Sequence, residues 1–348
     1  MPRLAERLLL ACFAIFTAPD IYAGDYPFFA SDDTLELVIE APMRTLLRQA
    51  EKNPELNGRL TYTDSEGADV TIDITITTRG HSRLELCSFP PLSISLNKDQ
   101  TDGTLFAGQR RLKIVSPCKT GSKYQRYFYQ EYSIYRAYNV VSDHSFRVRM
   151  LNITFRDEDQ KRKDDVVAAF FIEADREVAE RLNMATVKTK KISPKQFDVA
   201  EINKFELFQY MIGNTDWAIL KGPGEEDCCH NGKVIGFPGS GENLLVLPYD
   251  FDQAGIINTD YALPAKGFPI RSVKQRLYRG RCKHNEQLDK TIALLNEKRS
   301  EIEAALAPRE LSERNKKSAL NYLDAFFVTI NDPKELGKDL IEKCRGAH

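Results

Sequence analysis

The spacing of apolar residues changes once along the chain, near residue 174, and that change bounds the folds open to it. Before it, apolar positions recur every second residue. Val70, Ile72, Ile74 and Ile76 alternate with Thr71, Asp73, Thr75 and Thr77, the pattern of a strand with one buried face. Leu92, Ile94 and Leu96 repeat it. The stretch 111–115 repeats it again, putting Lys113 on the face opposite Leu112 and Ile114. Residues 35–50 suggest a strand passing into a short helix. Residues 146–155 alternate, and the apolar run 166–172 suits a central strand, with the charged stretch 156–165 as the hairpin loop between them.

One helix interrupts this half, at about residues 124–139. Its apolar stripe is Tyr124, Tyr127, Phe128, Ile134, Tyr135 and Tyr138. After Glu173 the period becomes helical, with helices expected at about 175–183, 199–212, 284–306, 309–329 and 333–345. Asp198 reads as the N-cap of the second of these, with Glu201 three residues on and Gly213 just past its end. A sheet-rich first half and a helix-rich second half predict a two-lobed α+β protein, with lobes at 24–174 and 175–348.

Residues 1–23 have the form of a secretory leader. Arg3 and Arg7 start it, the apolar stretch 8–18 is too short to span a bilayer, and cleavage is expected near Ala23. No later segment reaches the length of a transmembrane helix, so a soluble, secreted or periplasmic protein is expected. The leader holds Arg3, Arg7, Glu6 and Asp20, so the net charge of −1 survives its removal. That balance gives no electrostatic ground for a nucleic-acid or anionic-membrane partner. Six cysteines remain beyond Cys12, an even number suited to disulfides in an exported chain. Cys87 and Cys118 flank the second and third of the alternating strands and form the preferred pair; Cys228, Cys229, Cys282 and Cys344 are left open. Cys228 and Cys229 lack the spacing of a structural zinc site.

Chemistry-bearing residues concentrate between positions 214 and 252. Gly213-Asn214-Thr215-Asp216-Trp217 closes the helix at 199–212. His230-Asn231 follows a Gly-, Cys- and acid-rich loop, and the apolar run 244–247 delivers Pro248-Tyr249-Asp250-Phe251-Asp252. Acids at the ends of rigid elements, with an amide between them, suit divalent ions and the orientation of a hydroxyl. Upstream, Glu131 lies within the apolar stripe of its helix, where a carboxylate needs a cation unless it reaches water at the stripe's edge. Lys113 is the expected cation.

The order of these residues resembles that of a protein kinase, and more narrowly the CotH family of atypical secreted kinases. The stretches that carry the resemblance are Thr78-Arg79-Gly80-His81-Ser82, Phe171-Ile172-Glu173-Ala174-Asp175, Met211-Ile212-Gly213-Asn214-Thr215-Asp216-Trp217 and Leu247-Pro248-Tyr249-Asp250-Phe251-Asp252-Gln253, across roughly residues 70–260. It implies a two-lobed protein-kinase-like fold, with a sheet-rich N-lobe and a mainly helical C-lobe. It also implies ATP with Mg²⁺ or Mn²⁺, and a protein hydroxyl as acceptor. Carried over, Asp216 orients or deprotonates the acceptor and Asp250 is the principal metal ligand. Asn231 completes the metal site, with Asn214 as its substitute, and Asp252 is a second ligand or a salt-bridge partner. Lys113, steadied by Glu131, meets the phosphates; Arg79 and Ser82 form the turn over them; Glu173 lies beside the adenine.

The chain departs from the kinase pattern in having neither HRD nor DFG, and in the fifteen residues between Asp216 and Asn231. Two other functions therefore stay open: a non-catalytic binding or envelope-structural protein, and a metal-dependent phosphoesterase using Asp216, Asp250 and Asp252. No nucleophile elbow or Ser-His-Asp order is present, which disfavours that class of hydrolase. Arg79 and Arg83 could equally be solvated hairpin charges, and His81, His144 and His284 read as surface or capping residues.

Overall fold

The computed structural model describes residues 26–346 apart from His81 and Glu225, and of Ser82 the backbone only. The stretch read as a leader, 1–23, lies outside the described residues. The alternating segments form β1 (Leu35–Ala41), β2 (Leu56–Thr63), β3 (Asp69–Thr78), β4 (Leu92–Leu96), β5 (Arg111–Val115), β6 (Val148–Asp157) and β7 (Asp165–Ile172). Short helices α1 (Met43–Arg48) and α2 (Ser82–Leu86) follow β1 and β3, and the long α3 (Ser122–Val141) joins β5 to β6.

These strands do not make the sheet of a two-lobed kinase-like fold. They close into a barrel in the order β1-β2-β3-β4-β5-β7-β6. The protein is α+β, but the expected kinase arrangement with a sheet N-lobe is not the fold that forms. Two features bring closure about. One is β2, which the apolar pattern did not announce because Asn57, Gly58 and Arg59 dilute it; it pairs with both β1 and β3. The other is a parallel ladder between β1 and β6, from Leu35 opposite Leu151 to Ala41 opposite Asp157. The remaining ladders are antiparallel. Gly58 permits the close approach of β2 to β1, since a Cβ there would sit 2.6 Å from the Glu40 carbonyl oxygen and 2.8 Å from the Ala41 Cβ.

The inward residues of every strand fill the barrel. Ile39, Leu60, Ile72, Ile76, Ile94, Leu112 and Ile153 are fully buried, with Phe28 and Phe106 stacked at 4.9 Å in the same core. Each such aliphatic side chain contributes about 1.5–3 kcal/mol by leaving water. A second core lies outside the barrel. There Tyr127, Phe128, Ile134, Tyr135 and Tyr138 of α3 pack with Phe170 and Ile172 of β7 and with the C-terminal helices. The apolar stripe of α3 thus faces the helical half although the helix is inserted between two barrel strands.

Beyond β7 come α4 (Asp175–Arg181), β8 (Ala185–Thr186), α5 (Val199–Ile212), β9 (Gly232–Gly236) and β10 (Leu245–Pro248). Then follow α6 (Leu288–Glu297), α7 (Arg299–Leu306), α8 (Glu313–Asn331) and α9 (Pro333–Leu336). The helix expected at 284–306 breaks at Lys298, and the one expected at 333–345 leaves α geometry at Gly337. Strands β8, β9 and β10 form a small separate sheet in the order β10-β9-β8, packed through Val234, Leu244 and Val246 on Phe205 and Trp217.

Candidate active site

The site is built outward from the end of α5. Asp198 caps its start by accepting the Glu201 N–H at 2.9 Å. Gly213 ends it at φ 67°, a left-handed backbone that favours glycine, and an added Cβ would lie 2.0 Å from the Tyr322 Oη and have to displace it. The chain then turns on Asn214, whose Oδ1 accepts the Asp216 N–H at 2.9 Å, while Trp217 donates to the Asn214 carbonyl at 3.1 Å. Trp217 packs edge-on against Phe205 in the core. Asn214 and Trp217 are buried by these contacts, leaving the Asp216 side chain 38% exposed.

The fifteen-residue interval to Asn231 closes on itself. Ala218 and His230 form an antiparallel bridge, with N···O distances of 3.0 and 2.9 Å. That bridge returns Asn231 to Asp216. Its Nδ2 donates to the Asp216 carbonyl at 2.8 Å and to Oδ2 at 3.0 Å, while the His230 Nε2 meets Oδ1 at 3.0 Å. The Asp216 hydrogen bond holds the His230 imidazole above its ordinary value, against its partial burial. Asn231, rather than Asn214, is therefore the amide that faces the catalytic candidate.

Strand pairing then brings in the second acid. Gly232 of β9 lies opposite Pro248 of β10, and Tyr249 donates its N–H to the Asn231 carbonyl at 3.3 Å. Asp250 follows at φ 61°, with its N–H on the Tyr135 Oη at 3.0 Å and its side chain 39% exposed. Phe251 is fully buried against Tyr135, and Asp252 turns inward.

Glu131 meets Arg83, not Lys113. The Arg83 guanidinium lies 3.0 Å from Glu131, 2.9 Å from Asp252 and 3.5 Å from Asp250. Lys113 instead points over the Tyr249 ring at 4.5 Å and the Phe146 ring at 5.7 Å, and burial pushes its ammonium down to about 8. One cation among three carboxylates leaves an excess of negative charge. Burial raises Glu131 and lifts Asp252 to about 7, with Arg83 only partly offsetting it in each case. Burial opposes the charge on Arg83, but the three acids hold the guanidinium well above its ordinary value. Of the two roles expected for Asp252, the salt bridge is the one its geometry displays.

Tyr249 gathers the remaining cations. Arg79 donates to its hydroxyl at 2.9 Å and to the Leu92 carbonyl at 3.0 Å, and the Lys233 amine lies 5.9 Å from the ring centroid. A cavity of about 60 Å³ lies between Arg79, Arg83, Glu131, Tyr135, Tyr249 and Asp250. It has room for a water or two but not for a nucleotide, whose base and ribose would have to lie over its mouth.

Glu173 does not suit an adenine contact. It is fully buried, its carboxylate held by Arg181 at 3.1 Å and by the Arg147 N–H at 3.0 Å. The side chain of Ser82 lies outside the described residues, as does His81. His284 is not a surface residue; it is buried against Glu206 at 2.9 Å. Cys87 pairs with Cys118, tying the end of α2, which carries Arg83, to the chain just after β5, which carries Lys113. The cysteines left open pair as Cys228 with Cys229 and Cys282 with Cys344. Three disulfides, and the lack among the described residues of any helix long and apolar enough to cross a membrane, are compatible with an extracellular protein.

The apolar pattern left out Arg83, His230, Lys233 and Tyr249 as site residues. A signal existed only for Arg83: Glu131, set in the apolar stripe of its helix, requires a cation, and that role was expected of Lys113. Nothing along the chain chose between Arg83 and Lys113 as that cation. No protein-family model matches the chain, and a search of curated proteins returned no match.

Proposed function

We propose that this protein is an exported phosphotransferase of the CotH-like kind, released by cleavage near Ala23, which moves the γ-phosphoryl group of ATP to a hydroxyl on a protein. The observation that carries it is the hold of Asn231 and His230 on both carboxylate oxygens of Asp216, with Asp250 presented from the adjoining hairpin. Asp216 accepts the proton of the acceptor hydroxyl. The acceptor oxygen bonds to phosphorus as the bond from phosphorus to the β,γ-bridging oxygen breaks, and ADP leaves. Arg79, Lys113 and Lys233, gathered on Tyr249, are the cations that would receive the phosphates.

Among the described residues no cluster of three or more His, Cys, Asp or Glu could hold a metal ion by itself. Mg²⁺, however, is commonly held by one or two protein oxygens together with substrate phosphates. Asp250 and the Asn231 Oδ1 are donors of that kind, whereas Asp252 is engaged by Arg83. Bound there, Mg²⁺ or Mn²⁺ would neutralise charge on the phosphates.

The test is incubation of the purified protein with γ-labelled ATP and Mn²⁺, scored for label on protein. Asp216→Ala and Asp250→Ala should each lower transfer by about a hundredfold or more. Equal labelling of wild type and both variants would refute catalysis at this site. The narrow cavity favours one other reading, a binding protein without turnover. In that case calorimetry would register no metal-dependent ATP binding.

A further inference from the structure

A second concavity, much larger than the first, is lined in part by the chain segment that follows Asp252. It is an open groove of about 1140 Å³ between the start of α3, residues 255–258, the segment around Lys274 and Arg276, and the N-terminal half of α8. Five cationic side chains line it, Lys123, Arg126, Lys274, Arg276 and Arg314, against the single carboxylate of Glu310. The whole chain carries 49 basic and 50 acidic residues, so this is a local concentration and not a reflection of net charge.

Most of that charge is uncompensated. Lys123 is paired with Asp260, and Glu310 is taken by Arg309 outside the groove. Among the described residues Arg126 hydrogen-bonds only to the neutral Gln130 and the Ile257 carbonyl, and Arg276 only to the Met211 and Tyr322 carbonyls, each guanidinium also lying over a tyrosine ring. The side chains of Lys274 and Arg314 are exposed and make no hydrogen bond or ion pair among the described residues. The first turn of α3 opens into the same space with neither a capping side chain nor an acidic residue, adding the positive end of a twenty-residue helix. Tyr129, Ile256, Leu311 and Tyr322 give the walls apolar surface between the cations.

The geometry points to a docking groove for an acidic polypeptide segment, a stretch in which Asp or Glu alternates with apolar residues. The groove exceeds the usual size of a small-molecule site. Its cations come from three separate segments, the start of α3, the stretch 274–276 and the start of α8. Four of the five cations have no carboxylate partner among the described residues, and such charge favours an anionic occupant. The occupancy proposed is independent of phosphoryl transfer, since none of these residues belongs to the Asp216 site.

Binding of a short fluorescent peptide rich in Asp and Glu, followed by anisotropy without nucleotide, tests it. The wild-type protein and Asp216→Ala should bind alike, with affinity falling as salt screens the charges. The double variant Lys274→Glu/Arg314→Glu should bind about tenfold more weakly or worse. Its altered side chains are solvent-exposed, and a matching circular dichroism spectrum will show that it folds. Lys52→Glu/Lys98→Glu, at exposed positions in the short turns after α1 and β4, makes the same change in total charge and should bind as wild type does. Equal loss in the two double variants, no loss in either, or binding of inorganic polyphosphate with none of the peptide would overturn the assignment.

Discussion

Asp252 shows how a single residue's surroundings can oppose its own charge. It shares Arg83 with Glu131 and Asp250, is nearly buried, and is lifted from its ordinary value of 3.8 to about 7. Between those two values the folded protein holds a proton that the unfolded chain has released. Stability from this group is therefore present at low pH and falls as pH rises toward 7. Asp252→Asn removes that titration and leaves Arg83 with Glu131. Thermal unfolding midpoints measured from pH 4 to pH 7 should fall less steeply in Asp252→Asn than in wild type. Parallel curves would show that Asp252 does not carry the proton. Lys113 is perturbed in the opposite sense, its ammonium disfavoured by burial. An amine without a paired carboxylate suits a ligand that brings negative charge with it.

At the level of elements, α5 and its exit turn matter most, because they aim Asp216. The cap at Asp198, the apolar run and the glycine stop were legible in the order of residues, and the helix runs from Val199 to Ile212 as expected. Gly213 is the sensitive point. Alanine there would meet both a left-handed backbone and the Tyr322 hydroxyl. Gly213→Ala should cost about 1–3 kcal/mol by chemical denaturation, and, on the proposed function, should weaken phosphoryl transfer more than ATP binding because Asp216 is displaced. A fully active Gly213→Ala protein would show that the turn does not position Asp216. The Cys87–Cys118 bridge was also legible, from cysteines flanking two strands, and restrains the unfolded chain by about 3 kcal/mol. Strand β2 was not legible. Its burial alternates as that of β3 does, but Gly58 interrupts the apolar face and the first half is only half-buried, so the signal is weaker.

The whole molecule is held by two large cores, one inside the barrel and one among the helices, and β7 contributes to both. Phe171 faces the barrel interior, while Phe170 and Ile172 face α3. This explains the apolar end of the strand, 169–172, which is buried on both faces and lies at the seam between the two halves, whereas Val166 is 73% exposed. Ile39, fully buried on β1, lies in the ladder that closes the barrel against Phe155. Ile39→Ala should cost about 2–5 kcal/mol, and hydrogen exchange should speed first at the amides of β1 and β6. Uniform protection elsewhere with unchanged β1 and β6 would argue that the parallel ladder is not what closes the sheet.

Residue order alone determined what depends on neighbours in the chain: the period of most barrel strands and of the longer helices, the capping of α5, and several of the residue types at the candidate site. Tertiary structure decided what depends on partners far apart. It closed the strands into a barrel through a parallel pairing of segments more than a hundred residues apart, where an open kinase-like lobe was expected. It gave Glu131 to Arg83 instead of Lys113, and folded the loop after Asp216 back so that His230 and Asn231 hold it. Local periodicity is written by adjacent side chains, whereas the choice among distant partners of like charge is made only when packing sets which of them can meet.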